Sequence, residues 1–174
     1  MNENEFWSIL DGYNNKISFS TVILENLSTL NEILEFDKMF KKHLELLYTF
    51  PVMESTFIIN SYISDDEFKY FRAWLIAQGK EKFNMAIENI ESIAEWLNKD
   101  NIDNIVDLGE DIIDSILDSY IALGGNENDF YTNTYPEKDI NIEMNWADDY
   151  MEYKKRYPIL VENYWNQERI EELH

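Results

Sequence analysis

Apolar residues return every three or four positions along almost the whole chain, and only five glycines and three prolines interrupt them. That spacing gathers them on one side of an α-helix, and no stretch alternates in the manner of a half-buried strand. It predicts an all-α fold, a compact single-domain helical bundle of seven to nine helices spanning residues 1–174. A first helix is expected over Glu3–Tyr13, with Phe6, Trp7 and Leu10 on one side, and Val22, Ile23, Leu27 and Leu30 suggest a second. A third, capped by Ser28, carries Ile33, Leu34, Phe36, Phe40, Leu44 and Leu47. It should stop before Pro51, because the residue ahead of a proline disfavours α geometry. Val52–Tyr62 is apolar nearly all round, as a central buried helix would be.

Punctuation is sharpest at Ser64, Asp65, Asp66 and Glu67. This is a capping box, in which the Ser64 hydroxyl accepts from the Glu67 amide while Glu67 reaches back. Asp65 and Asp66 fall in the first turn, where the helix dipole favours negative charge. Gly79 is placed to end that helix, and Lys80 starts another stretch through Phe83, Met85, Ala86 and Ile87. Further helices are expected over Ile90–Leu97 and Leu108–Leu123, the latter stopped by Gly124 and Gly125. Residues 126–141 read as one long polar connection within the domain. The tail reads as helix over Trp146–Tyr157, a break at Pro158, and helix over Ile159–Tyr164.

Thirty-five acids against fourteen bases give a formal net charge of −21, which excludes a basic surface for bare DNA or RNA. No cysteine is present, so disulfides and thiolate chemistry are excluded. The acidic start of the chain lacks the basic and apolar regions of a secretory leader. No apolar run approaches the roughly 18 residues of a membrane span, so the expected setting is cytoplasmic, away from membranes. Asp100–Glu152 holds fifteen acids and a single base, Lys138. Within it Asp107, Asp111, Asp114 and Asp118 follow one helical face at spacings of four, three and four. Such a face is either simply solvated or meets a basic partner, since a one-signed field accelerates encounter with opposite charge.

Catalytic signatures are missing. The histidines are His43, read as a surface or boundary residue, and the terminal His174. There is no H-E-x-x-H, G-x-G-x-x-G or P-loop pattern, and no D-x-D-x-D-G cation loop. No catalytic residue, metal or cofactor is expected, and no enzyme class is supported. One constellation stands out around the strong cap: Asp65, Asp66, Tyr70, Arg72, Trp74 and Gln78. Arg72, among apolar neighbours, should be largely buried and paired with a carboxylate from another helix. The alternative is an anion or ligand pocket built from Arg72, Trp74 and Gln78. Trp7, Trp74, Trp96, Trp146 and Trp165 read as core or boundary residues.

The segment Ser64–Gly79 resembles the hallmark of a bacterial family, domain of unknown function 4240. The resemblance extends to Glu5-Phe6-Trp7 with Ile9 and Leu10, to Glu32–Phe36, to Glu91–Ala94 and to Arg156–Leu160, nearly the whole chain. Two departures matter. The family's Gly-Gly-Cys turn before Ser-Asp-Asp is replaced by Ser61, Tyr62 and Ile63, and its Asp-Pro by Asn89 and Ile90. A turn that uses glycine's freedom is thereby put in question, and no role of the family's cysteine carries over. The resemblance implies a fold and transfers no activity.

The charge pattern instead suggests a non-enzymatic acidic interaction protein. Its expected partner is a basic, nucleic-acid-handling protein, either a nuclease toxin (an immunity protein's target) or a CRISPR effector (an anti-CRISPR protein's target). Nucleic-acid mimicry would place Asp107, Asp111, Asp114, Asp118, Asp148 and Asp149 on the sites that phosphates use. The alternative is an enzyme or small-ligand-binding protein with a pocket around Arg72 and Trp74. The two separate experimentally: salt and acid reversal affect the first, changes at Arg72 or Trp74 the second.

Overall fold

Helical caps and apolar stripes divide the chain much as its spacing suggests. The structure, a computed structural model, describes residues 1–13, 16–136, 138 and 140–173, without the side chains of residues 100 and 101. Glu137, Asp139, His174 and the Asp100 side chain, all counted above, lie outside the described residues. Among the described residues every regular element is helical: eleven α-helices, above the seven to nine expected, and two 3-10 segments. In chain order the first seven are α1 (Glu3–Leu10), α2 (Phe19–Asn26), α3 (Leu30–Leu46), α4 (Phe50–Asn60), α5 (Asp65–Ala77), α6 (Lys80–Glu88) and α7 (Ile105–Ala122). Then come α8 (Glu127–Asn133), α9 (Tyr150–Arg156), α10 (Pro158–Tyr164) and α11 (Gln167–Leu173).

The differences have local causes. Ile90–Glu95 is 3-10 rather than α, with Asn89 capping it through Glu91 N–H. The polar connection contains α8, started by the Asn126 side chain accepting from Asp129 N–H. Thr29, not Ser28, caps α3, and it forms a full capping box with Glu32. At Ser64 only half of the predicted box is seen. Ser64 Oγ accepts from Glu67 N–H at 3.2 Å, but Glu67 Oε2 is buried and without a hydrogen bond among the described residues. Ser64→Ala should still lower stability by about 1 kcal/mol, read as a lower urea midpoint, because one orphan amide loses its partner.

α5 sits at the centre, with Phe68, Phe71, Ala73, Trp74, Leu75, Ile76 and Ala77 all buried. It packs on α3, α4, α6 and, most extensively, α7. Gly109 makes that last contact possible: a Cβ there would stand 2.0 Å from the Tyr70 carbonyl oxygen. α4 is buried along most of its length, as its composition predicts. α1 lies over α3, with Phe6 against Phe36 at 5.2 Å between ring centroids. His43 is therefore not a surface residue. It is buried against Phe6, Trp7 and Phe83, with Nδ1 2.8 Å from the Met39 carbonyl oxygen.

The turn between α4 and α5 keeps a left-handed residue despite having no glycine. Ser61 ends α4 with φ +64°, and its buried hydroxyl has no hydrogen-bond partner among the described residues. An L-residue is penalised there by about 1–2 kcal/mol. Ser61→Gly should raise stability by roughly 1 kcal/mol after its own chain-entropy cost, measured as a higher urea midpoint.

The tail is fastened by polar contacts, of which those at Glu54 and Tyr164 involve buried residues. Glu54, 1% exposed on α4, accepts from Arg156 Nη1 and from the Tyr157 hydroxyl, each at 2.7 Å. Glu91 Oε1 accepts from the Ile159 and Leu160 amides, capping α10 from a distant segment. Tyr164 donates to the Leu97 carbonyl at 3.0 Å.

Candidate functional site

α7 turns Ile105, Gly109, Ile112, Ile116 and Tyr120 inward, and this leaves Asp107, Asp111, Asp114 and Asp118 exposed on its opposite side. The helix period puts those four within an arc of roughly 60°. Among the described residues none of the four is in an ion pair. Two acids that the sequence did not assign to this face extend it. Glu110 accepts from the Tyr70 hydroxyl at 3.3 Å. Asp66, in the first turn of α5, acts on the same phenol. Burial first, then the charges of Glu110, Asp66 and Asp114, hold the Tyr70 hydroxyl above the usual phenol range. Asp65 is exposed beside Asp66 at the start of α5.

Asp148 and Asp149 belong to a different element, at the start of α9. Asp149 caps α9, its Oδ1 accepting from Glu152 N–H at 3.0 Å. α9 packs on α10, and it reaches α4 through Arg156–Glu54 and the Tyr153–Phe57 rings. The sequence grouped these two acids with α7 on charge alone, and charge carries no information about where a helix docks.

The proposed Arg72, Trp74 and Gln78 pocket divides in two. Residues two apart on a helix point roughly 200° away from each other. Arg72 is buried, with Nη1 donating to the Leu44 carbonyl at 2.9 Å and Nε to Phe68 O at 3.1 Å. Its guanidinium lies 4.3 Å from the Phe68 ring centroid and 4.7 Å from that of Tyr48. Its described partners include these carbonyl oxygens and ring faces. Leu44 belongs to the last turn of α3, whose carbonyls lack partners within the helix, so a cation there completes the helix end. The cavity beside Arg72 is small, about 70 Å³, and is shared with Lys41, Glu45, Tyr48, Lys69 and Lys138.

Trp74 and Gln78 open instead on a cleft of about 600 Å³. α6, the segment around Trp96, and α7 supply Lys82, Trp96, Asp107 and Asp111, and Lys16, ahead of α2, lines it too. Trp74 stacks on Trp96, with ring centroids 5.7 Å apart and planes inclined by 29°. Lys82 Nζ stands 4.8 Å from the Trp96 ring centroid. Gln78 Nε2 donates to the Trp74 carbonyl at 3.0 Å, which fixes the amide at the cleft wall. The sequence missed Lys82 and Trp96 as partners of Trp74, because no local spacing links them. The spacing of two between positions 72 and 74 was the available sign that the predicted trio could not share one pocket.

Among the described residues no three His, Asp or Glu side chains converge as ligands for a metal ion. Nor is any described helix long and apolar enough to cross a membrane. No curated protein and no solved structure matches the chain. One family model does match, over residues 1–120, from the N-terminus through α1–α6 into α7. The resemblance at Arg156–Leu160 lies beyond that match. Ser64–Gly79, both tryptophans of the cleft and all four α7 aspartates lie inside it, and the chain belongs to the family of proteins of unknown function DUF4240.

Proposed function

We propose that the protein is a non-enzymatic interaction protein whose acidic face binds and inhibits a basic partner that handles nucleic acid. A nuclease toxin or a CRISPR effector has the required chemistry, a groove of Lys and Arg shaped for phosphates. The observation that carries this reading is the exposed row Asp107, Asp111, Asp114 and Asp118, in no ion pair among the described residues, on a helix whose other side is locked into the core. Keeping four like charges on one face costs a few tenths of a kcal/mol per neighbouring pair. A partner's cations offset that cost and gain in association rate from the field. Asp148 and Asp149 are no longer part of the proposed surface, while Glu110 and Asp66 are. A small-ligand reading rests on the cleft at Trp74 and Gln78, without Arg72.

The test is capture of the partner on immobilised protein, followed by inhibition assays of its nuclease or effector activity. Changing Asp107, Asp111, Asp114 and Asp118 together to Lys should abolish inhibition while the circular dichroism stays helical. The wild-type association rate should fall steeply with salt, because screening shortens the reach of exposed charges to about 10 Å at 0.1 M. Undiminished inhibition by the four-lysine protein, insensitive to salt, would show that the acidic face is only solvated.

A further inference from the structure

The acidic face does not end at the edge of α7. Asp107 and Asp111 stand on it and also line the cleft built on Trp74 and Trp96. The cleft therefore joins aromatic faces to carboxylates, the two groups that together bind a guanidinium. A planar, weakly hydrated cation stacks on an indole face while its N–H groups fork onto a carboxylate. The protein itself already places a cation here: Lys82 Nζ lies over Trp96 at 4.8 Å. An ammonium on a flexible stem is a point charge without the fork, so an arginine has more to offer the same seat. The volume of about 600 Å³ admits an arginine side chain together with the backbone beside it.

We infer that this cleft is the seat for an arginine of the basic partner, entering over Trp96 beside Asp107 and Asp111 and displacing Lys82. The inference rests on the acidic-face reading for the source of that arginine. Tryptophan and arginine are also the residue types that concentrate binding energy at interfaces, so one such seat would anchor an otherwise electrostatic contact.

Titration calorimetry tests it with two five-residue peptides. One carries two arginines separated by glycines, and the other carries lysines in their place. At 0.15 M salt the arginine peptide should bind about tenfold more tightly than the lysine peptide. Trp96→Leu should remove that preference. Lys82→Ala should strengthen arginine binding several-fold, whereas Lys80→Ala should not, although it deletes the same charge from the same helix outside the cleft. Should Trp96→Leu fail to fold, the Lys82 and Lys80 comparison decides alone, and equal effects overturn the seat. Equal affinity for the two peptides overturns it too, as does a preference that survives Trp96→Leu. Asp114→Asn with Asp118→Asn separates the two ideas, since both residues belong to the face and neither lines the cleft. Loss of partner inhibition in that variant, with arginine preference intact, supports both. Intact inhibition with intact preference leaves the cleft standing and removes the acidic face.

Discussion

Gly109→Ala should destabilise the protein by roughly 3 kcal/mol or prevent folding, at the upper end of overpacking costs. In a chain of this length that lowers the melting temperature by about 6–12 °C. The sign is the informative part. Alanine is the better helix former by about 1 kcal/mol, so α7 alone would gain from the change. The loss must come from tertiary packing, where the new Cβ would meet the Tyr70 backbone, its carbonyl oxygen 2.0 Å away. A backbone cannot rotate aside as a side chain can, so α5 and α7 would have to separate along their whole contact. Asp118→Ala, on the exposed side of the same helix, supplies the comparison and should leave the midpoint unchanged or raise it. A Gly109→Ala protein as stable as the wild type would mean that α7 does not press against Tyr70.

The second large effect is expected where the tail meets α4. Tyr157→Phe removes one of two donors to buried Glu54 and should cost about 1.5–3 kcal/mol, the range for a hydrogen bond to a charged group. Arg156→Met should cost more, because it takes away the countercharge and leaves a carboxylate that is 1% exposed. Adding Glu54→Leu to that variant should recover much of the loss, since it removes the buried carboxylate left without its countercharge. Denaturation midpoints of the three proteins check the order.

Alkaline pH gives an independent readout of the same contact. Burial, then the charge of Glu54, pushes the Tyr153 hydroxyl up to about 12. Burial, then its hydrogen bond to Glu54, raises Tyr157 further above the ordinary value. Both phenols hold their protons more tightly folded than unfolded, where tyrosine titrates near 10. Their contribution to stability is therefore complete below about pH 10 and is lost as pH rises through the folded values. Tyr157→Phe should flatten that loss, and an unchanged alkaline profile would show that Tyr157 does not bear on it.

Much of the secondary structure was legible because its determinants are local. Val52–Tyr62 announces a buried helix by being apolar nearly all round, and Ser64 announces a start by its hydroxyl three residues before Glu67. Gly79, with φ +91°, both ends α5 and opens α6, which glycine alone does without strain. The four aspartates of α7 were placed on one exposed face by their spacing, and they lie there. Arg72 was expected to be buried and is, with the Leu44 carbonyl at the open end of α3 among its described partners.

The sequence by itself determined most of the helical segments and which side of each is apolar, since both follow from a period of 3.6 residues within one segment. Only the tertiary structure decided which sides meet. It joined Trp74 to Trp96, Lys82 and Asp107 across four segments, turned Arg72 away from them, and carried Asp149 off to cap α9. Those outcomes depend on crossing contacts such as Gly109 on Tyr70 and on long-range polar ties such as Glu54 to Arg156. Partners separated by about a hundred residues leave no periodic trace, because nothing in the local helix geometry refers to them.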